Sequence, residues 1–156
     1  MKNITLILLL TIVVLYSCKD EYNICNEPKT VRFIATINQR VGGADVLTTA
    51  PNFSLVNLAG NVPIYSNEPN INSFNITFNN LLDSARYVIT LANNLPKDTL
   101  TVIYTTAGVQ ATSLDCGPLF NHNIVRLYST TNTIDSIKIV SPALNSSLNL
   151  NAKIYF

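Results

Sequence analysis

His122 is the only histidine in the 156-residue chain, so acid–base chemistry near neutral pH would have to centre on it. A hydrolytic triad would add Asp115 or Asp135 as the orienting carboxylate and a serine as nucleophile. No G-x-S-x-G elbow presents such a serine, and a lone histidine two residues after Phe120 reads as a turn residue. Of the nine acidic residues, Asp20, Glu21 and Glu27 group near the N-terminus. The others show no spacing that would set two carboxylates across a cleft. Metal sites need clustered ligands, and only His122 lies near Cys116. EF-hand, P-loop and dinucleotide fingerprints are absent. The expectation is a non-enzyme with no catalytic residue, no metal site and no cofactor.

Three cysteines remain. Cys18 closes Leu15-Tyr16-Ser17-Cys18, at the end of a thirteen-residue apolar run from Ile4 to Tyr16 broken only by Thr5 and Thr11. Spanning a bilayer takes about 20 apolar residues. A shorter run after Lys2 fits the h-region of a signal peptide. Leu15, Ser17 and Cys18 resemble the lipobox read by lipoprotein signal peptidase, with Tyr16 standing where a small residue is usual. The resemblance implies that residues 1–17 are removed and that Cys18 is lipidated; two or more acyl chains anchor a protein stably where one does not. Losing Lys2 from ten Lys+Arg leaves nine against nine Asp+Glu, which offers no basic field for nucleic acid. Cys25 and Cys116 then form an even pair in an exported chain, where disulfides persist. They are expected to bond, closing a loop of about 90 residues, worth about 4–5 kcal/mol in the chain-entropy model. Two free thiols and a metal site are the competing readings.

The elements that would position these residues are strands. From Thr30 onward the hydrophobic period is two. Val31, Phe33, Ala35 and Ile37 alternate with Arg32, Ile34, Thr36 and Asn38 before Gly42-Gly43 breaks the chain. Phe53 and Leu55 start a second strand, Ala59-Gly60-Asn61 reads as a hairpin turn, and Pro63 marks the returning Val62–Tyr65 strand as an edge or as a strand end. Phe74, Ile76 and Phe78, then Tyr87, Ile89 and Leu91, then Leu100, Val102 and Tyr104 repeat the pattern. Asn79 to Ser84 and Asn93 to Asp98 are connections. Val109 to Leu114 ends at a turn over Cys116-Gly117-Pro118, and Ile124–Tyr128, Ile134–Val140 and Leu148–Phe156 complete the set. In the last, Leu148, Leu150, Ala152, Ile154 and Phe156 should face inward, and Asn149, Asn151, Lys153 and Tyr155 outward. With 47% hydrophobic and 12% charged residues, one core is readily buried. About eight strands predict an all-β, antiparallel β-sandwich of Greek-key or Ig-like type, with a small barrel as the alternative. The expected organisation is a signal peptide at 1–17, a lipidated tether at 18–28 and a β-domain at 29–156.

Cys18-Lys19-Asp20-Glu21 through Cys25, Thr30-Val31-Arg32-Phe33, Asp98 to Tyr104, Asp115-Cys116-Gly117 and the closing Ile154-Tyr155-Phe156 together resemble a family of small uncharacterised lipoproteins of Bacteroidota-type bacteria, about 150 residues long. Acidic residues after the lipid cysteine resemble the surface-export signal of that group. The resemblance implies an outer-membrane lipoprotein, displayed at the surface or held in the inner leaflet of the outer membrane, and no activity. Asp83-Ser84-Ala85, Asp98-Thr99-Leu100 and Asp135-Ser136-Ile137 resemble acceptors of periplasmic O-glycosylation in the same group, making Ser84, Thr99 and Ser136 candidate sites. A turn ending in Asp-Ser/Thr before a strand accounts for all three without a glycan. The expected role is an interaction or accessory module with an envelope protein or glycan as partner. A carbohydrate-binding protein is the alternative, in which Tyr65, Tyr87, Tyr104, Tyr128 and Tyr155 would form an exposed stacking platform, though tyrosines also serve as ordinary strand residues. A hydrolase is the remaining reading.

Overall fold

The computed structural model describes residues 31–113 and 117–156. They form eleven strands and no helix: β1 Arg32–Val41, β2 Ala44–Leu47, β3 Ala50–Asn57, β4 Val62–Ile71, β5 Ser73–Thr77, β6 Ser84–Thr90, β7 Asp98–Ser113, β8 Gly117–Ser129, β9 Ser136–Ile139, β10 Ala143–Leu144 and β11 Ala152–Tyr155. Among the described residues no helix is long and apolar enough to cross a membrane.

Two sheets result. The five-stranded sheet runs β2-β1-β11-β9, with β5 also paired to β1. The six-stranded sheet runs β10-β8-β7-β6-β3-β4. The period-two pattern decides which side chains go inward. Phe33, Ala35 and Ile37 of β1, Phe74 and Ile76 of β5, Phe53 and Leu55 of β3, and Leu100, Val102 and Tyr104 of β7 are all buried in one core. Rings join the sheets: Phe53 of β3 lies 5.0 Å from Phe74 of β5, centroid to centroid, and 5.3 Å from Tyr65 of β4 in its own sheet.

Several expectations need correction. Pairing is not purely antiparallel, because β1 and β11 run parallel, with Ala35 opposite Ala152 and Ile37 opposite Ile154. The chain ends inside the first sheet, beside its first strand, which no local pattern announces. Val109 is not in a separate strand. It belongs to β7, which continues for 16 residues through a bulge between Thr106 and Gly108; a bulge lets a strand bend without ending. The last strand begins only at Ala152, and Leu148 is exposed. Asn151 and Tyr155, assigned to the outer face, are buried. Asn151 is consumed by backbone: its Oδ1 accepts from Ile34 N at 2.9 Å, and its Nδ2 donates to Ser141 O and Ala143 O. The disulfide is corrected as well. None is found among the described residues, outside which Cys18, Cys25 and Cys116 all lie. What holds the described body is its apolar core and its hydrogen-bonded ties.

One such tie is Asp98, buried at the start of β7. Its carboxylate accepts from Thr130 Oγ1 (2.6 Å), Asn132 N (2.8 Å), Thr133 N (2.8 Å) and Ile134 N (2.9 Å). Asn132 Nδ2 and Thr133 Oγ1 answer by donating to Lys97 O and Pro96 O. Burial alone would raise the carboxyl; the four donors outweigh it and hold it below the usual carboxylate range.

Candidate functional site

The most reactive side-chain types gather where β5 runs out and β7 and β8 cross above it. Arg32 pairs with Thr77, so the start of β1 and the end of β5 share one end of the body. Phe78 follows and stacks on Tyr104 of β7, centroids 4.3 Å apart and planes 15° apart. His122 of β8 stands edge-on to Tyr104 at 5.3 Å and to Phe78 at 6.3 Å. The Tyr104 hydroxyl donates to Asn79 O at 3.0 Å.

His122 is 2% exposed, not the surface turn residue that the sequence suggests. It shares the inward face of β8 with Ile124, two residues on, which is buried as well. Its Nε2 lies 3.1 Å from Asn80 Oδ1. An amide oxygen only accepts, so with Asn80 in this orientation Nε2 carries the proton and Nδ1 presents a lone pair. That Nδ1 is buried without a hydrogen-bond partner, as is Asn121 Oδ1. Burial lowers the imidazole below its ordinary value, which keeps it neutral at pH 7. Burial raises the Tyr104 hydroxyl, with the Asp83 charge adding to it and the bond to Asn79 opposing. Burial and the neighbouring Tyr104 push Tyr87 up to about 12.

Two cavities open here and share Thr77 and Phe78 in their walls. One, about 80 Å³, is lined by His122, Asn80, Val31 and Pro118–Phe120. The other, about 250 Å³, is lined by Tyr87, Tyr104, Asn79, Leu82 and Ser84. A neutral imidazole lone pair in a small cavity can accept a hydrogen bond from a small donor. Among the described residues no carboxylate or hydroxyl hydrogen-bonds to it. Asp135 lines a third cavity, about 390 Å³, with Gln39–Val41, Ser136, Tyr155 and Phe156. It lies at the far end of β1, and Asp115 is outside the described residues. At that far end Tyr155 donates to Asp45 Oδ2 at 2.8 Å, Lys153 pairs with the same oxygen at 3.2 Å, and the Arg40 guanidinium sits 4.8 Å above the Tyr155 ring. Among the described residues no three metal-ligating side chains gather.

The tyrosines make no row. Of the five named for a platform, Tyr87, Tyr104 and Tyr155 are buried, Tyr65 packs against the core, and Tyr128 is exposed, beside Arg126. Of the glycosylation candidates, Ser84 is exposed and donates to its neighbour Asp83 at 3.2 Å. Thr99 is half-buried between β6 and β8, and Ser136 is half-buried against Tyr155. The Asp98 of the second tripeptide is spent on the 130–134 loop. Cys18, the lipidation candidate, and Cys25 and Cys116 lie outside the described residues.

Residues 53–156 match one family over two thirds of the chain. The chain belongs to DUF6452, a family of unknown function. The DUF6452 match begins within β3. It takes in Phe78, Asn80, Tyr104 and His122, whereas Val31 and everything before it lie outside. No curated protein and no solved structure matches the chain.

Proposed function

We propose that the chain is a lipid-anchored envelope lipoprotein of Bacteroidota-type bacteria, whose body is a non-enzymatic interaction or accessory module of the outer membrane. The two sheets, sharing one core, are read as a β-sandwich of Greek-key or Ig-like type. The observation that carries the proposal is the order of parts: an apolar leader, Leu15-Tyr16-Ser17-Cys18, a short polar stretch, and β1 starting at Arg32. The site geometry supports a non-catalytic reading, since His122 is buried against an amide and Asp98 is used up in structure. A rigid body on a tether needs only a surface to act by contact.

Mass spectrometry of the chain from its native membrane tests this. The expected N-terminus is Cys18 carrying a diacylglyceryl thioether and an N-acyl chain. A free thiol at Cys18 with residues 1–17 still attached would overturn it. Crosslinking in intact cells should give a discrete larger species that disappears with Cys18→Ser; recovery of the monomer alone counts against the interaction role.

A further inference from the structure

The two ends of the body differ in kind. At one end lie the start of β1, the Asn79–Asp83 loop, the loop that leads into β11, and the distal half of the β7–β8 hairpin. Register places them together: Arg32 pairs with Thr77, Ala152 lies opposite Ala35 in the parallel ladder, and Ser84 pairs with Ile103 just before β7 runs on. The hairpin crosses this end, because Pro118–Phe120 line the small cavity together with Val31. The described stretches here, 77–82, 105–113, 117–123 and 144–151, contain no charged residue.

The same end carries the two most exposed large apolar side chains, Leu81 (92%) and Leu148 (73%), with Leu82 beside the first at 50%. Next to these described stretches, the strands that reach this end carry Arg32, Arg86 and Arg126 against one acid, Asp83; Arg126 pairs with Ile103, which pairs on its other side with Ser84. The other end is mixed, with Arg40, Lys97, Asp45, Asp98 and Asp135. Single exposed valines on strands are ordinary, but two adjacent leucines at a turn are not: Leu81 stands almost wholly in solvent, and Leu82, which lines the larger cavity, still leaves half its surface open.

We infer that this end rests on the bilayer, with Leu81 and Leu82 seated at the boundary between headgroups and acyl chains. The inference rests on the lipid-anchor reading above. Where the chain enters points to a lipid surface. The described body begins at Val31, thirteen residues after Cys18, a reach of at most about 45 Å. An anchor at that distance holds the leucines at high effective concentration next to the membrane, so weak insertion suffices. Arginines behind an apolar tip suit anionic headgroups, and apolar groups on such surfaces sink about 5–10 Å into the interface.

The chain has no tryptophan, so a single one reports its own surroundings. The mature lipidated chain bearing Leu81→Trp is incorporated into phosphatidylethanolamine–phosphatidylglycerol vesicles with acyl-chain-brominated lipid. The expected result is blue-shifted emission that the bromines quench. Val41→Trp, 60% exposed at the far end of β1, stays red-shifted and unquenched, and adding Leu82→Asp to Leu81→Trp reverses the shift. A chain that sediments with the vesicles while Trp at position 81 stays red-shifted and unquenched overturns the docking and leaves the anchor standing. Equal quenching at positions 81 and 41 overturns the orientation. A chain that stays in the supernatant overturns the anchor, and the docking with it.

Discussion

Replacing Asp98 with asparagine keeps the shape of the side chain and removes its charge. In the parent, one oxygen accepts from Thr130 Oγ1 and Asn132 N, and the other from Thr133 N and Ile134 N. An amide has one acceptor and one donor end, so whichever way it turns, at least one backbone N–H of the 130–134 loop meets another N–H. Ile134 is buried and has no access to water in exchange. Hydrogen bonds to a charged group are worth about 1.5–3 kcal/mol each. Losing one or two, with partial relaxation, gives a cost of about 3 kcal/mol for Asp98→Asn, and about 4 kcal/mol for Asp98→Ala, which loses all four. Domains are stable by only about 5–15 kcal/mol. Urea unfolding followed by tyrosine emission and far-ultraviolet circular dichroism should show the midpoint falling by about 1–3 M at unchanged slope. The pH profile gives an independent check. The folded carboxyl titrates below its unfolded value near about 3.9, so its stabilisation is complete above that pH and drains away as pH falls through the lower folded value. Asp98→Asn should lack that part of the acid limb. A variant within about 0.5 kcal/mol of the parent, the range of ordinary surface changes, would refute the claim that this carboxylate holds the loop.

His122 gives a second pH window. Its folded value is lowered by burial, so below its unfolded value of about 6.5 the unfolded chain binds the extra proton. Stability should fall by up to about 1.4 kcal/mol per pH unit from there down to the folded value. His122→Asn should flatten that stretch, and an unchanged slope would contradict the buried neutral ring. For Tyr104, which is fully buried and stacked on Phe78, Tyr104→Phe loses only the bond to Asn79 and should cost about 1 kcal/mol. Tyr104→Ala opens the ring cluster and should cost about 3–5 kcal/mol, read from the same urea curves; equal costs would show that the stack contributes little.

Alternation along the chain was enough to identify strands, because a half-buried strand writes its buried face at every second residue. Phe33, Ala35 and Ile37, Phe74 and Ile76, and Leu100, Val102 and Tyr104 are core residues on that ground alone. The turn at Asn61, where φ is 53°, and the edge position of β4 were legible from turn chemistry and from Pro63. The proposed leader and lipid-bearing Cys18 rest on sequence alone, because a processing enzyme would read such a segment as a linear string. What the sequence left open depends on residues far apart in the chain. Asp98 and Ile134 are 36 positions apart, and His122 and Asn80 are 42 apart. Asn151 and Ile34 are 117 apart. A polar side chain facing solvent and one satisfied by distant backbone look alike in sequence, since only the partner, brought in by the packing of two sheets, removes the cost of burial. Alternation thus set which faces turn inward, while the pairing of the sheets decided which polar groups could follow them.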